Sequence, residues 1–393
     1  MFQLNARANF ISSKKVFRPL LALVVVAAAV VAAGGPASAS SCSSWTYTPS
    51  PNRGSGDNVL NAVDADSTCD AWAVGYSFSA SEARFVTLVE HWNGTSWAIT
   101  ASPNAGMGPN YLEAVRALSP TNVWAVGYRD SGTAFRNLIV HWNGKTWSVI
   151  ASPDRGAEDN ELLGIRTLSP TNAWAVGWSA TTTSDVTLVE HWNGASWSIH
   201  ASPNAGTDAS YLQAIGFSSA TNGWAVGRKS TPSGTQTLVE HWNGSTWSVK
   251  ASPDLGSVDD ELTAVRVGST TNAWAVGYSY SGGEDKTLTG HWNGTTWSVK
   301  TSPNGGTGEN QLAGIAIVSP TSVWAVGHTT EGAVFQTLID HWNGTSWSIV
   351  PSPDQGTGNN FLGGMSATSS TNVWAVGKYY DGSSYRTLIL HCC

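Results

Sequence analysis

Short apolar stretches of strand length alternate with polar, glycine-rich stretches along almost the whole chain. Between Tyr111 and Asn160 the apolar stretches are rich in Val, Ile, Leu and Trp, and they are Leu112–Leu118, Val123–Tyr128, Leu138–Trp142 and Thr146–Ala151. Ser-Pro-Thr-Asn, Asn-Gly and longer Gly/Asp/Ser segments separate them. Such runs predict β-strands, and Asn143-Gly144 predicts a two-residue hairpin between the third strand and the fourth.

This four-strand pattern is one unit of a repeat. Trp-Ala-Val-Gly occurs seven times, and the last six copies are spaced by fifty residues: Trp72, Trp124, Trp174, Trp224, Trp274, Trp324 and Trp374. A four-stranded twisted sheet cannot bury both faces alone. A period of about forty to fifty residues with four strands is therefore typical of a β-propeller blade, which stacks on copies of itself around an axis.

The two ends of the repeat array complement each other. Trp45 precedes Pro51 as Trp97 precedes Pro103, so residues 44–52 match a fourth strand without its first three. Residues 361–393 contain a first, second and third strand and then stop. We therefore predict an all-β, seven-bladed β-propeller of four-stranded antiparallel blades, with residues 40–393 as one domain. In it, residues 44–52 supply the outer strand of the last blade and remove the free sheet edges.

The cysteines gather where the ends would meet. Aligned to the repeat, Cys42, Cys392 and Cys393 all fall in the hairpin between the third and fourth strands, and Cys69 falls in a loop on the same face of the next blade. A disulfide from Cys42 to Cys392 or Cys393 would replace the missing turn. In the loop-entropy model it contributes roughly 5–6 kcal/mol. Cys69 could pair with the remaining cysteine; the pairing stays open, as does the alternative of free thiols.

The N-terminal segment predicts export. Lys14, Lys15 and Arg18 precede an apolar run from Leu20 to Ala33, and Ala37-Ser38-Ala39 fits a signal-peptidase site. The alternative, a membrane anchor, would need about twenty apolar residues. We expect residues 1–39 to be a Sec signal peptide, and the mature protein to be secreted without membrane insertion.

Charge excludes one class of partner. Removing Arg7, Lys14, Lys15 and Arg18 leaves sixteen Lys and Arg against 27 Asp and Glu, a net charge near −11 for the mature chain. Nucleic acid is a poor partner for such a surface. We expect a monomer whose partner is a glycan or an extracellular protein.

The repeat resembles a known class. Its unit, SPTNVWAVG…HWNGTSWS, resembles the tandem repeats of secreted bacterial β-propeller repeat proteins and covers essentially all of the mature chain. The turn Gly94-Thr95-Ser96-Trp97 is also similar to the end of the Asp-box of sialidase-like (BNR-like) propellers, although Trp92 stands at the Asp position. Kelch propellers share the architecture, but their Gly-Gly pair is missing here from its usual place in each blade. The resemblance implies the fold, and it does not imply sialidase activity.

Function is expected where the units differ. The loops after Trp-Ala-Val-Gly and after Ser-Pro-Asn/Asp vary and are predicted to share one face. Twenty of the 21 tryptophans occupy three repeat positions and are predicted to form the core between blades; Trp178 is the exception. The candidate ligand-binding residues follow Trp-Ala-Val-Gly (Tyr76, Tyr128, Trp178, Tyr278, His328) or come just before the first strand (Tyr111, Tyr211, Phe361). Such rings suit stacking on sugars; the alternative is that they only cover loop backbone.

Three further sets of side chains are candidates for binding an ion. Seven histidines, His91 to His391, recur once per unit, too far apart to share a metal ion, so we predict hydrogen bonds within each blade and no metal site. Arg116, Arg166 and Arg266 share one position of the innermost strand, with Asp64 in the first unit. They could form an anion site in the central channel; the alternative is that these arginines are solvated or paired. Calcium at the acidic loops, with Glu158, Asp159 and Glu161 in one and Asp259, Asp260 and Glu261 in another, is an alternative to simple turn capping.

No nucleophile, phosphate-binding loop or convergent carboxylate pair marks an active site. The sequence therefore favours a secreted, non-catalytic propeller without a cofactor that recognises carbohydrate on its variable-loop face. A protein–protein interaction scaffold is the alternative, and a glycosidase- or lyase-type propeller enzyme is the third possibility.

Overall fold

The computed structural model describes Cys42, residues 44–256 and residues 259–393. This part of the chain forms 28 β-strands, numbered here in chain order, and contains no helix. The signal-peptide prediction concerns residues 1–39, which lie outside the described residues.

Each repeat unit contributes four strands. The first strands are β2 (Asn58–Ala65), β6 (Asn110–Ser119), β10 (Asn160–Ser169), β14 (Ser210–Ser219), β18 (Asp259–Ser269), β22 (Asn310–Ser319) and β26 (Asn360–Ser369). The second strands are β3 (Ala71–Ser79), β7 (Asn122–Asp130), β11 (Asn172–Ala180), β15 (Asn222–Thr231), β19 (Asn272–Ser281), β23 (Ser322–Glu331) and β27 (Asn372–Tyr380). The third strands are β4 (Arg84–Trp92), β8 (Phe135–Trp142), β12 (Asp185–Trp192), β16 (Gly234–Trp242), β20 (Glu284–Trp292), β24 (Val334–Trp342) and β28 (Tyr385–Cys392). The fourth strands are β5 (Trp97–Ile99), β9 (Trp147–Ile150), β13 (Trp197–Ile199), β17 (Trp247–Val249), β21 (Trp297–Val299) and β25 (Trp347–Ile349), and β1 is Thr46–Tyr47.

Within each unit the strands pair in chain order as an antiparallel sheet. The units β14–β17 and β18–β21 are joined into one larger sheet by a single parallel bridge between Thr235 and Asp259. Each first strand contacts the first strand of the next unit, and β26 contacts both β22 and β2. The strands predicted for one unit are confirmed, each within three residues of the expected bounds.

Tryptophan fills the space between neighbouring sheets. The Trp-Ala-Val-Gly residue of one sheet packs against two tryptophans of the next: Trp72, for example, lies 5.1 Å from Trp142 and 5.4 Å from Trp147, measured between ring centroids. Trp374 of β27 makes the same contacts with Trp92 and Trp97. Burial of so much aromatic surface is the main stabilising contribution between sheets, which confirms the predicted role of these positions.

Trp-Ala-Val-Gly ends in glycine for a steric reason. A Cβ on Gly127 would lie 2.1 Å from the carbonyl oxygen of Tyr111 on the neighbouring first strand. That first strand carries a register shift between Leu112 and Ala114, which brings its backbone against the second strand. Only glycine fits at this approach.

The predicted two-residue hairpin lies at a different turn. Trp142 pairs with Trp147, so the connection at Asn143-Gly144 has four residues, with Asn143 Oδ1 accepting from the amides of Lys145 (2.9 Å) and Thr146 (3.0 Å). The two-residue turn joins the first and second strands instead, where Ser119 pairs with Asn122. The prediction was wrong here because the Asn side chain folds back as an Asx-turn, which lengthens the loop.

The chain ends meet at the last sheet. β1 pairs with β28, with Thr46 opposite His391 and Tyr47 opposite Leu390. Cys42 forms a disulfide with Cys392, with their Cα atoms 5.5 Å apart and 350 residues between them in sequence. Cys69 and Cys393 are free and exposed. The structure therefore selects Cys392 as the partner of Cys42, and the second disulfide, between Cys69 and Cys393, is not formed.

Candidate functional site

The predicted ligand-binding residues come together as pairs on adjacent strands. In every unit the residue after Trp-Ala-Val-Gly stands directly opposite one first-strand residue, and the pairs, called the rim below, are Val59–Tyr76, Tyr111–Tyr128, Glu161–Trp178, Tyr211–Arg228, Glu261–Tyr278, Gln311–His328 and Phe361–Lys378. The two sets of candidates proposed from the sequence are thus one structural layer.

These side chains belong to strands, including Tyr111, which the sequence places just before the first strand. Tyr111 is inside β6 and Tyr128 is inside β7. Hydrogen bonding between the first and second strands continues past the Gly of Trp-Ala-Val-Gly, so the rim is carried on paired backbone. A rigid scaffold of this kind holds side chains in place better than loops do.

One half of the rim is aromatic. Tyr111 packs against Tyr76 and Tyr128, each at 5.0 Å between centroids. Phe85 adds a ring 5.3 Å from Tyr76. On the far side of the chain ends, Phe361 lies 5.1 Å from His328 and 4.8 Å from Phe335. Edge-to-face and tilted contacts between rings use much of the surface that a ligand would need.

The other half of the rim is acidic. Glu261, 5 % exposed, is its centre. It accepts hydrogen bonds from Tyr278 Oη (2.8 Å), Arg228 Nη1 (2.8 Å) and Gln213 Nε2 (2.7 Å). Three donors on one carboxylate fix these side chains relative to each other.

Three further contacts lie in this half of the rim. The Arg228 guanidinium lies 4.7 Å from the centre of the Tyr211 ring, and the Tyr211 hydroxyl donates to Asp185 of the preceding sheet. Trp178 Nε1 donates to Glu161 at 3.2 Å. Aromatic faces and hydrogen-bonding carboxylates therefore alternate along this half of the rim.

A pocket opens within the acidic half. Its volume is about 240 Å³, and its walls include Arg228, Glu261, Tyr278, Tyr280 and Asp285. Tyr280 is 39 % exposed. The pocket thus brings two aromatic rings, a guanidinium and carboxylates together around one space.

Burial keeps the rim hydroxyls protonated. It raises the pKa of Tyr76 to about 12, with the Glu113 carboxylate adding to the effect, and it raises the pKa of Tyr128 and Tyr278 further. Burial also raises the pKa of Glu161 to about 7, against the lowering effect of the Trp178 hydrogen bond. The tyrosine hydroxyls, protonated at neutral pH already at their ordinary pKa of 10.0, therefore stay protonated in still more alkaline solution.

Below the rim, the first strands of all units line a cavity of about 320 Å³. Most of its walls are small or apolar residues, among them Gly314 and Gly364. The polar residues of its lining are Asn61, Glu113, Gln213, Thr263 and Arg266. Burial raises the pKa of the Glu113 carboxyl to about 8, and Asn61 Nδ2 donates to it at 2.9 Å.

The predicted channel arginines do come together. Arg116, Arg166 and Arg266 line a second cavity of about 400 Å³ with Asp64, at the end of the channel bordered by the Ser-Pro loops. Arg116 is paired with Asp64, Nη1 to Oδ1 at 2.7 Å.

The repeated histidines bond within their own sheet, as predicted. His141 Nε2 lies 2.9 Å from Asn122 Oδ1, and His391 Nε2 lies 2.8 Å from Asn372 Oδ1. Each ring also lies on the Trp-Ala-Val-Gly tryptophan, at 4.1 Å for His141 and Trp124. Burial lowers the pKa of His391 to about 4, so it stays neutral at pH 7.

The acidic loops serve as backbone caps. Asp159 Oδ1 accepts from the amide of Phe135 at 2.7 Å, and Asp260 Oδ2 accepts from the amide of Leu255 at 3.2 Å. Glu261 belongs to the rim network. Within the described part of the chain, no group of three His, Cys, Asp or Glu side chains could hold a metal ion. The described residues form no helix long and apolar enough to cross a membrane.

Sequence reasoning missed one layer of the rim. The third strands contribute a ring of residues beside it: Phe85, Phe135, Asp185, Thr235, Asp285, Phe335 and Tyr385. They divide as the rim does, aromatic in one run of sheets and polar in the other. The signal was present in the aligned repeat, since this position varies while the Trp-containing strand does not.

No protein-family model matches the chain, and no curated protein matches it. Among solved structures, the chain is similar to YCF48 bound to D1 peptide, with a TM-score of 0.54 and 14 % identity over 88 % of this chain and 96 % of that one. It is also similar to an ulvan lyase of polysaccharide lyase family PL25, with a TM-score of 0.54 and 8 % identity over 85 % and 94 % of the two chains. The same enzyme bound to -[GlcA(1-4)Rha3S]- gives the same TM-score.

These likenesses show a propeller-like fold. At such identities they show nothing more about this chain. With the repeated four-stranded sheets and the tryptophan-bearing strands, they establish a propeller-like repeat protein, and the disulfide indicates an oxidising compartment.

Proposed function

We propose that this chain is a secreted, non-catalytic β-propeller of seven blades that binds an extracellular carbohydrate at the acidic half of its rim. Residues 1–39 are the Sec signal peptide in this proposal, and residues 40–393 are the propeller. β1 completes the last blade and closes the ring. Support for the closure comes from the contacts of β26 with β2 and of Trp374 with Trp92 and Trp97.

One observation carries the choice of ligand. In the acidic half, the rings of Trp178, Tyr211 and Tyr278 alternate with carboxylates and Arg228, and their polar atoms are held in place by hydrogen bonds. Sugar recognition needs an apolar face for the ring carbons and fixed acceptors for the hydroxyl groups. The aromatic half offers few acceptors, and its rings pack on each other. We therefore place the sugar between Trp178 and Tyr278.

A protein ligand is the second candidate, since large apolar side chains stand exposed. Met107 is 92 % exposed and Phe78 is 36 % exposed. One of the structural neighbours holds a peptide and another holds a polysaccharide, so both classes of partner are compatible with a propeller of this kind.

The test is a binding screen of oxidised protein, residues 40–393, against a glycan array and insoluble polysaccharides. Trp178→Ala and Tyr278→Ala are the test variants. Val149→Ala is the control, because Val149 is 44 % exposed on an outer strand away from the rim. We expect binding that the control retains and that both test variants lose.

Three outcomes contradict this proposal. If the protein binds no glycan, the carbohydrate hypothesis is wrong and a protein ligand is the remaining candidate. If both variants still bind, the binding site lies outside the acidic half of the rim. Release of unsaturated or reducing sugars from a bound polysaccharide would show an enzyme.

A further inference from the structure

The cavity at the arginine end of the channel contains one carboxylate and three arginines. Asp64, Arg116, Arg166 and Arg266 reach one cavity of about 400 Å³, which Ser269 and Asn272 border on the loop side. All four occupy the same position of their first strands, as their pairing with the Trp-Ala-Val-Gly tryptophan shows, for example Arg166 with Trp174. Three guanidinium groups from three sheets thus face one space.

The charges in this cavity do not balance. Asp64 is only 1 % exposed and is fully engaged: its carboxylate accepts from Arg116 Nη1 (2.7 Å), the amide of Ala117 (2.8 Å) and Ser366 Oγ (3.3 Å). Arg116 is neutralised by this pair. Arg166 and Arg266 have no ion pair within the described residues, and Arg166 Nε is buried without a hydrogen-bond partner. Two positive charges remain.

Two unpaired guanidinium groups in one cavity destabilise the folded protein. Burial, together with the like charges of Arg116 and Arg266, lowers the pKa of Arg166 to about 9, while Asp64 acts in the opposite direction. Burial likewise lowers the pKa of Arg266. Like charges in a low-dielectric space repel strongly.

The fold does not require arginine here. The equivalent position holds Gly216, Ala316 and Ser366 in other units, opposite the same tryptophan. Sheet pairing and the tryptophan core are therefore satisfied without a guanidinium. A destabilising cluster that the architecture does not need is the arrangement expected of a binding site.

We propose that this cavity binds a doubly charged tetrahedral oxyanion, sulfate or a phosphate dianion, between Arg166 and Arg266. The count of charges selects the dianion, because two unpaired guanidinium groups face it and Arg116 is already neutralised by Asp64. The planar guanidinium donates two parallel N–H bonds to such oxygens. Ser269 and Asn272 add neutral hydrogen-bonding groups at the loop side.

The experiment measures thermal unfolding and calorimetric binding of oxidised protein with sodium sulfate, inorganic phosphate and sodium chloride at equal ionic strength. Sulfate stabilises many proteins without specific binding, so the decisive quantity is the difference between the wild type and Arg166→Ser or Arg266→Ser. Both variants introduce a residue that the fold already holds at Ser366. Methyl sulfate, a monoanion of similar shape, tests the charge, and phenyl phosphate tests whether an esterified group enters.

We expect sulfate to raise the melting temperature of the wild type well above the effect of chloride, and each variant to lose that increment. Loss of one guanidinium should weaken binding by about ten- to a hundredfold. Without added anion, the variants should melt at or above the wild-type temperature, because repulsion is relieved.

Equal sulfate effects in the wild type and the variants would overturn the proposal. So would variants that melt well below the wild type in chloride, since the arginines would then be structural. If methyl sulfate bound as tightly as sulfate, the site would not select a doubly charged anion, and the proposal would be wrong. A negative glycan screen would not contradict the anion site, because the rim and the arginine cavity lie at opposite ends of the channel.

Discussion

Two layers of the same sheets differ in how they use the repeat. Between sheets, the second strand carries an identical Trp-Ala-Val-Gly in every unit, and each tryptophan contacts the next sheet. At the rim, one first-strand position holds Tyr111 in one unit, Glu161 in the next and Gln311 in another. Contacts between tryptophans of neighbouring sheets impose one shape on every copy, whereas the rim contacts that join neighbouring sheets, such as Tyr76 with Tyr111 and Arg228 with Glu261, use different side chains in different units. Stability is therefore concentrated in the repeated layer, and variation is tolerated along the channel.

The largest loss of stability is expected at the chain ends, where the disulfide joins the first and last strands. Cys42→Ser should lower the free energy of unfolding by about 3–6 kcal/mol, because the Cys42–Cys392 disulfide closes a loop of 350 residues. Denaturant unfolding of the oxidised protein measures it. Cys393→Ser is the matched control and should change nothing. A loss below about 1 kcal/mol would mean that the pairing of β1 with β28 holds the ends by itself.

The next largest effect concerns the tryptophans between sheets. Trp224 is 1 % exposed and contacts Trp292 and Trp297. Trp224→Ala should cost about 3–5 kcal/mol, since it leaves a cavity between two sheets. Chemical denaturation gives the value, and Trp178→Ala, on the rim, is the comparison. Equal costs for the two variants would contradict the division into a stabilising layer and a tolerant one.

A smaller, pH-dependent effect tests carboxylates buried between sheets. Glu90 and Glu240 lie on third strands, and burial raises the pKa of each to about 8. Neither Glu90 carboxylate oxygen has a hydrogen-bond partner among the described residues. The folded protein thus holds protons that the unfolded chain releases above its ordinary pKa of 4.5. The free energy of unfolding should therefore fall as pH rises from about 4.5 through about 8.

Replacing Glu90 should flatten this dependence. Val140 and Leu390 occupy the equivalent position of other third strands, so Glu90→Val introduces a residue that the repeat already accommodates. We expect little change at pH 5 and higher stability at pH 8 than the wild type, measured by denaturation across the range. Glu158→Gln, at an exposed loop, is the control. An unchanged pH profile in Glu90→Val would show that this carboxyl ionises freely in the folded state.

The smallest effect is expected at the rim. Trp178→Tyr places there the residue found at Tyr76, Tyr128 and Tyr278, and should change stability by less than about 0.5 kcal/mol. Thermal unfolding checks this. A cost above about 2 kcal/mol would show that Trp178 belongs to the packing between sheets, and the rim would lose its separation from the repeated layer.

The sequence by itself determined the strands and the core. Four apolar runs per unit and the recurrence of Trp-Ala-Val-Gly predicted four-stranded sheets with tryptophan between them, because the spacing of turn residues and the need to bury large rings are local properties of each unit. The pairing of the histidines within a sheet followed from the same argument. Cys42 was assigned to the chain ends, although its partner stayed open between two adjacent cysteines.

Only the tertiary structure decided which side chains meet. The sequence places Tyr128 at the end of the second strand and Tyr111 just before the first strand. They are directly opposed because backbone pairing runs past Gly127, where the first strand shifts register. The contacts of Asp185 with Tyr211 and of Arg228 with Glu261 join different sheets, and no pattern within one unit encodes a distance between units. The choice of Cys392 depended on the same kind of fact, the position of one chain end against the last strand.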